Sequence, residues 1–205
     1  MNDSIFQKWR SPLATVFDAG VTWAKDVDIV ESLADELQSP PAGICDLSAL
    51  PRSGCKGDCL DNAPPTNTSK VDDNGVLCCR LSEDEMLLLS SSSALKPATN
   101  MMTPRIDIAR RDSHCQIGVC GERAAAVLSR LCAVPPPVNY EIAQTRVAEV
   151  SAIIVAEPRA KDNTFYVLSD SAYAQHLWES LFAAVKPESG GIIGWQQWRG
   201  LFPNL

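Results

Sequence analysis

At 205 residues and 22.2 kDa the chain is long enough for one substantial domain, or for two small lobes sharing a core. Its 45% hydrophobic and 21% charged residues suit a globular protein, and a formal net charge of −7 argues against a nucleic-acid partner, which calls for a basic stripe. The apolar runs fall short of a membrane span, so no membrane partner is expected.

Residues 1–27 read as an amino-terminal arm, polar with isolated aromatics in "FQKWRSPLATVF". Asp3 stands where a secretory leader would be basic and no apolar run follows, so a cytoplasmic protein is expected. Residues 28–100 form a first α+β half. It opens on "DVDIVESLADELQSPP", where Ile29, Val30, Leu33, Ala34 and Leu37 make a helical stripe stopped by Pro40 and Pro41. "GICDLSALPRSGCKG" then sets two cysteines, a lysine and an arginine among three glycines, the look of a doorway to an active site. Asp46 and Ser48 are expected to hold a turn through side-chain to backbone hydrogen bonds. Gly54 and Gly57 would allow tight chain reversal, with Cys55 a small strand residue, so the stretch reads as architecture. "DCLDNAPPTNTSKVDDNG" is a loop by composition, and "VLCCRLSEDEMLLLS" gives two short strands around the solvated acidic turn Glu83, Asp84 and Glu85. "SSSSALKPATNMMTPRIDIARRD" reads as the connection between halves; its basic run, broken by Asp107 and followed by Asp112, is a solvated segment.

Residues 101–187 form a second half. "SHCQIGVCG" alternates as a strand through Cys115, Ile117 and Val119. "ERAAAVLSRLCAV" is a helix with Ala124, Val127, Leu128 and Leu131 on one face, ended by Pro135, Pro136 and Pro137. "AQTRVAEVSAIIVAE" and "NTFYVLSD" read as strands flanking the charged turn "PRAKDN". Ser169 or Asp170 caps "SAYAQHLWESLFAAV", a helix burying Ala174, Leu177, Trp178, Leu181 and Val185. Strand, helix, paired strands and helix predict an antiparallel α+β fold with duplicated sheet-plus-helix halves, closed by a carboxy-terminal aromatic tail over 188–205.

The usual catalytic signatures are missing. There is no G-x-G-x-x-G after a strand, no phosphate-binding G-x-x-x-x-G-K-[ST] and no G-x-S-x-G. His176 reads as the polar shoulder of the last long helix, and His114 neighbours Cys115 on a strand, where adjacent side chains point to opposite faces. Eight cysteines without C-x-x-C pairs are expected to act as small apolar residues rather than as zinc ligands or disulfides. No catalytic, cofactor-binding or metal-binding residue is therefore assigned to the chain.

Four segments carry a family resemblance. "DLSALPRSGCKG" with "GVLCCRLSEDEMLLLS" resembles the D-L-S … G-x-K-G … L-x-x-D-E-x-L-L pattern of gamma subunits of heterotetrameric sarcosine oxidases. "DSHCQIGVCGERAAAVLSRLCAV", "AQTRVAEVSAIIVAE" and "FYVLSDSAYAQHLWESLFAAV" resemble that family's later segments in the same order, from about Ser11 to about Val185. Glu122 and the proline- and asparagine-rich stretch 58–70 depart from the pattern. The resemblance implies a shortened aminomethyltransferase (T-protein) folate-binding fold. It also implies a non-catalytic structural subunit of a complex demethylating sarcosine or a related N-methyl amino acid. FAD, FMN, NAD and tetrahydrofolate would then sit in partner subunits, with alpha-type flavoprotein chains as the expected partners. A stand-alone tetrahydrofolate-binding, aminomethyltransferase-like protein is the alternative. A cysteine-based redox or metal protein ranks behind both.

Partner contact has its own candidates. Trp195, Trp198, Arg199 and Phe202 in the tail, and Phe6 and Trp9 in the arm, are residue types favoured as interface anchors. The competing reading has the tail folded back on its own core.

Overall fold

The computed structural model describes residues 11–17, 21–23, 29–59, 61–90, 101–110 and 113–202. In chain order the elements are β1 (Val21–Trp23), β2 (Val30–Leu33), β3 (Gly43–Asp46), β4 (Arg52–Cys59), β5 (Thr68–Val71), β6 (Leu77–Arg80) and β7 (Glu85–Leu89). There follow β8 (Met102–Ala109), β9 (His114–Cys120), α1 (Ala124–Ser129), β10 (Ile142–Val147), β11 (Val150–Ala156) and β12 (Thr164–Asp170). The chain continues through α2 (Ala174–Val185), β13 (Gly191–Ile192) and α3 (Trp195–Gly200).

A six-stranded sheet runs β10-β11-β12-β9-β3-β13 and a five-stranded sheet runs β5-β6-β7-β4-β8, while β1 and β2 pair separately. Neighbours are antiparallel except β13 beside β3. The sheets are joined at one edge, where Ser69 N–H donates to Tyr140 O at 2.7 Å and Ile142 N–H donates to Asn67 O at 2.8 Å.

Alternation along each strand sorts the core into layers. On one face of the six-stranded sheet, Cys115, Ile117, Val119, Ile154, Phe165 and Val167 meet the apolar stripes of α1 and α2. On its other face, Tyr166, Leu168 and Val155 meet Leu77, Cys79, Leu87 and Leu89 of the five-stranded sheet. The outer face of that second sheet holds Cys55, Cys78, Met86 and Leu88 under Met101. Burial on both faces explains why β11 and β12 read as nearly continuous apolar runs. Asp170 is the residue that caps the last turn of chain before α2, accepting from Ala172 N–H at 2.8 Å.

Several expectations need correction. The helical stripe after residue 28 is instead β2 followed by turns, because Ile29 buries into the layer between sheets and Val30 is buried at the start of β2, while Leu37 remains exposed. Pairing with β1 and core contact outweigh a propensity worth only tenths of a kcal/mol per residue, ~0.7 at most. The supposed connection ends in β8, an edge strand paired with β4; Ile106 and Asp107 on it are exposed, which gives the run its solvated look. Gly54 is mid-strand rather than at a reversal, and Gly57, at φ 153°, sits in the irregularity between Lys56 and Asp58 in the pairing of β4 with β8. "AQTRVAEVSAIIVAE" is a hairpin, reversed by Ala148 and Glu149 at φ 49° and 68°.

One contact locks α3 onto the sheet. A Cβ at Gly118 would lie 2.3 Å from Trp198 Cζ3, so the missing side chain is what lets the indole lie against β9. Gly118→Ala is expected to destabilise the fold by about 1–3 kcal/mol, the range for overpacking a filled core, read as a lower urea midpoint with unchanged slope.

Candidate functional site

The opening glycine-rich stretch ends in a buried polar junction. Asp46, at the end of β3, accepts from Ser48 N–H at 2.9 Å and from the Ser11 hydroxyl, so the predicted turn exists and also ties down residues 11–17. Ser48 Oγ accepts from Gln116 N–H at 3.0 Å and donates to Gln116 O at 3.3 Å, stitching the turn to β9. The Arg52 guanidinium donates to Ser48 O at 2.8 Å and to His114 O. Burial raises the Asp46 carboxyl above its ordinary value against the lowering effect of the Ser11 and Ser48 hydrogen bonds and of Arg52. The Cys45 thiol joins it at Asp46 O, 3.9 Å away, and Lys56 turns instead to Glu85 at 3.6 Å.

A second buried cluster was invisible in the sequence, where "PRAKDN" is only a charged turn. Arg159 Nε donates to Glu157 Oε1 at 2.8 Å and Nη2 to Oε2 at 2.6 Å. Arg159 Nη1 reaches Gly75 O at 2.7 Å, at the turn joining β5 to β6, and Tyr166 Oη donates to Glu157 Oε2 at 3.1 Å. The pair therefore clamps the turn after β11 to the second sheet. Burial, then the Glu157 charge, pushes the Tyr166 phenol well above its usual value.

Burial favours the protonated thiol at five of the cysteines. Burial pushes Cys45 and Cys79 well up, Cys115 and Cys132 to about 11 and Cys120 to about 12. Among the described residues no group of three or more His, Cys, Asp or Glu could hold a metal ion. His176 Nε2 lies 2.8 Å from Ala148 O on the exposed side of α2. His114 sits half-buried with Nδ1 2.8 Å from Ser113 Oγ, and burial, then Arg110 and Arg52, lowers its basicity.

An open concavity lies over the ends of β10, β11, β12 and β9 in the six-stranded sheet. Register places Gln144, Ile153, Leu168 and Gln116 in one row across β10, β11, β12 and β9. The next row outward pairs Arg146 with Ser151, and Asp170 with His114. Together with Tyr173 these rows, apart from Gln116, border a groove of about 770 Å³. Arg146 is turned toward Glu149, donating from Nε to Glu149 O at 3.0 Å. A groove with a mixed polar and apolar floor on a rigid sheet can seat a ligand or a chain segment. It was missed in the sequence because the row forms from four strands, and only pairing brings its members together.

Of the proposed interface residues, Trp198 is fully buried and Phe202 nearly so, both in the layer between the sheets. Tyr166 and Phe202 flank the Trp198 indole at centroid distances of 5.8 and 6.0 Å. For these two the tail is folded back on its own core. Trp195 is half-buried and Arg199 exposed. Phe6 and Trp9 lie outside the described residues. No described helix is long and apolar enough to cross a membrane.

No family model matches the chain, and no curated protein matches its sequence. Among solved structures, the fold is similar to a chain of the heterotetrameric sarcosine oxidase from Corynebacterium sp. U-96 in complex with pyrrole 2-carboxylate. That match has TM-score 0.64 and 15% identity over 89% of this chain and 97% of that one. The glycine cleavage system aminomethyltransferase T from Bartonella henselae is similar at TM-score 0.72 and 15% identity, over 95% of this chain and 62% of that one. The likeness is one of fold: the chain has the α+β folate-binding fold of sarcosine oxidase and aminomethyltransferase.

Glu157→Gln is expected to cost about 3 kcal/mol, since Arg159 keeps its charge without a counterion. The double change Glu157→Gln with Arg159→Met should recover much of that loss in the same urea titration. Trp198→Ala should cost about 3–5 kcal/mol in the isolated chain, whereas Arg199→Ala leaves its melting temperature unchanged.

Proposed function

We propose that this chain is a non-catalytic, gamma-type structural subunit of a multi-subunit, flavin-dependent oxidoreductase that demethylates sarcosine or a related N-methyl amino acid. The observation that supports this most is the end-to-end correspondence with a chain of a heterotetrameric sarcosine oxidase, 97% of which is covered. The chain corresponds to only 62% of the aminomethyltransferase. In this reading FAD, FMN, NAD and tetrahydrofolate are carried by larger partner chains, alpha-type flavoproteins foremost, which oxidise the C–N bond by passing a hydride from its carbon to flavin. The contribution of this chain is a stiff, doubly packed sheet whose buried charges Asp46, Arg52 and Glu157 are engaged in its own cross-links. The runner-up, a stand-alone tetrahydrofolate-binding protein, draws on the TM-score of 0.72 to the aminomethyltransferase.

Affinity purification of the tagged chain from its native host, followed by mass spectrometry, is expected to recover larger flavoprotein chains and their yellow absorbance. The isolated chain is expected neither to oxidise sarcosine nor to retain flavin. Turnover or bound flavin in the isolated chain overturns the proposal, and saturable tetrahydrofolate binding without partners selects the runner-up.

A further inference from the structure

The row of residues at the inner end of the groove contains a group that the fold leaves unused. Gln116 is 1% exposed, and neither its Nε2 nor its Oε1 has a hydrogen-bond partner. Its main chain is fully engaged with Leu47 and Ser48, so the strand holds it in place whatever its side chain does. Alternation along β9 puts that side chain on the same face as His114, which lines the groove, and as Gly118, which lies under Trp198. Its cross-strand partner Leu168 is itself part of the groove floor. By contrast the carboxamide of Gln144, in the same row, is spent on Asn67 Oδ1 at 2.8 Å and Leu81 O at 2.6 Å. A buried carboxamide that bonds nothing is costly to the folded chain, and such a group calls for a reason.

Of the charged groups that line the groove, Arg146 is matched by Glu149 at 3.2 Å and Asp170 is left over; Arg52 and Arg110, near His114, are turned to Ser48 O and to Glu85. One Asp170 oxygen caps Ala172 N–H, and among the described residues Asp170 forms no ion pair. Adjacent strands stand roughly 4.8 Å apart and Gln116 is two residues along β9 from His114, the partner of Asp170, so Asp170 and Gln116 are roughly 8 Å apart, within the span of three residues of extended chain. Exposed Tyr173 stands at the rim as an aromatic anchor, with Ile153 and Leu168 as an apolar floor.

We propose that this groove seats an extended, basic segment of a partner chain: a lysine or arginine pairs with Asp170 and a peptide group bonds the Gln116 carboxamide. A carboxamide offers one donor side and one acceptor side, and a peptide group is its complement. A rotamer change at Gln116 brings the amide out to meet it. The net charge of −7 on this chain favours a basic partner surface in the same sense. The partner's identity as a subunit rests on the function proposed above, while the chemistry of the groove is tested apart from it.

The experiment titrates the full, nitrogen-15-labelled chain with acetyl-Ala-Lys-Leu-Ala-amide and, separately, with its glutamate counterpart. The lysine peptide is expected to shift the backbone amides of Ser151, Leu168 and Asp170 saturably, and the glutamate peptide not to. Asp170→Asn keeps the helix cap and should weaken the lysine peptide about threefold, as for an exposed ion pair. Gln116→Leu should also weaken binding, yet raise the melting temperature of the isolated chain, because an unused buried carboxamide is exchanged for carbon. Equal binding of both peptides, no saturable shift, or a lower melting temperature for Gln116→Leu overturns the proposal. If larger flavoprotein chains co-purify with both variants as fully as with the natural chain, the groove fails as a docking site and the subunit reading stands. If none co-purify with the natural chain, the subunit reading fails and the titration alone decides the groove.

Discussion

Burial of the six-stranded sheet on both faces is the constraint from which the rest follows. One face takes α1 and α2, the other takes the five-stranded sheet and α3. A sheet in that position must supply apolar side chains to both sides, and β11 and β12 do so with hardly a polar interruption. Where the covering ends, the same strands change character within one residue pair, from Tyr166 and Leu168 to exposed Asp170. The groove is thus the place where the packing rule stops applying.

Charged groups inside such a layer must be paired, and the chain solves this with two junctions. Asp46, Ser48 and Arg52 bind the chain segment after β3 to β9, and Glu157, Arg159 and Tyr166 bind the six-stranded sheet to the turn at Gly75. Each uses charges to fix where two elements meet, a role in which geometry matters more than net energy. Glu188 does the same at the surface, receiving Arg123 Nε at 2.7 Å and Arg130, and so holds α1 against the end of α2.

The second half of the chain was legible because its signals are local. The alternation of Cys115, Ile117 and Val119, the stripe of α2 and the Asp170 cap all come from neighbours in sequence. The first half depends on distant partners: β3 lies between β9 and β13, and β2 exists through β1. Val30 and Leu33 satisfy a helix period as well as a short strand, so only pairing decides between them. The turn at Ala148 and Glu149 uses left-handed backbone without glycine or asparagine, which removes the usual mark of a two-residue hairpin. The Asp46 turn could be read from residue type and spacing, whereas the clamp at Glu157 and the groove join strands far apart in the chain. Trp198 carried a sound interface signal, being large and aromatic, and the same properties suit it to the core above Gly118.

The position of β3 has a kinetic meaning. A strand begun at residue 43 finds its antiparallel neighbour only at 114–120 and its parallel one at 191–192. Loops that long must close before their contacts repay the lost entropy, so collapse of this sheet belongs to the slow, milliseconds-to-seconds class. Until it closes, the strands of the central layer present bare hydrogen-bonding edges to any neighbouring polypeptide. A chain of this topology is therefore most vulnerable to sticking together while it is being made, and early capture by a companion would shorten that exposure.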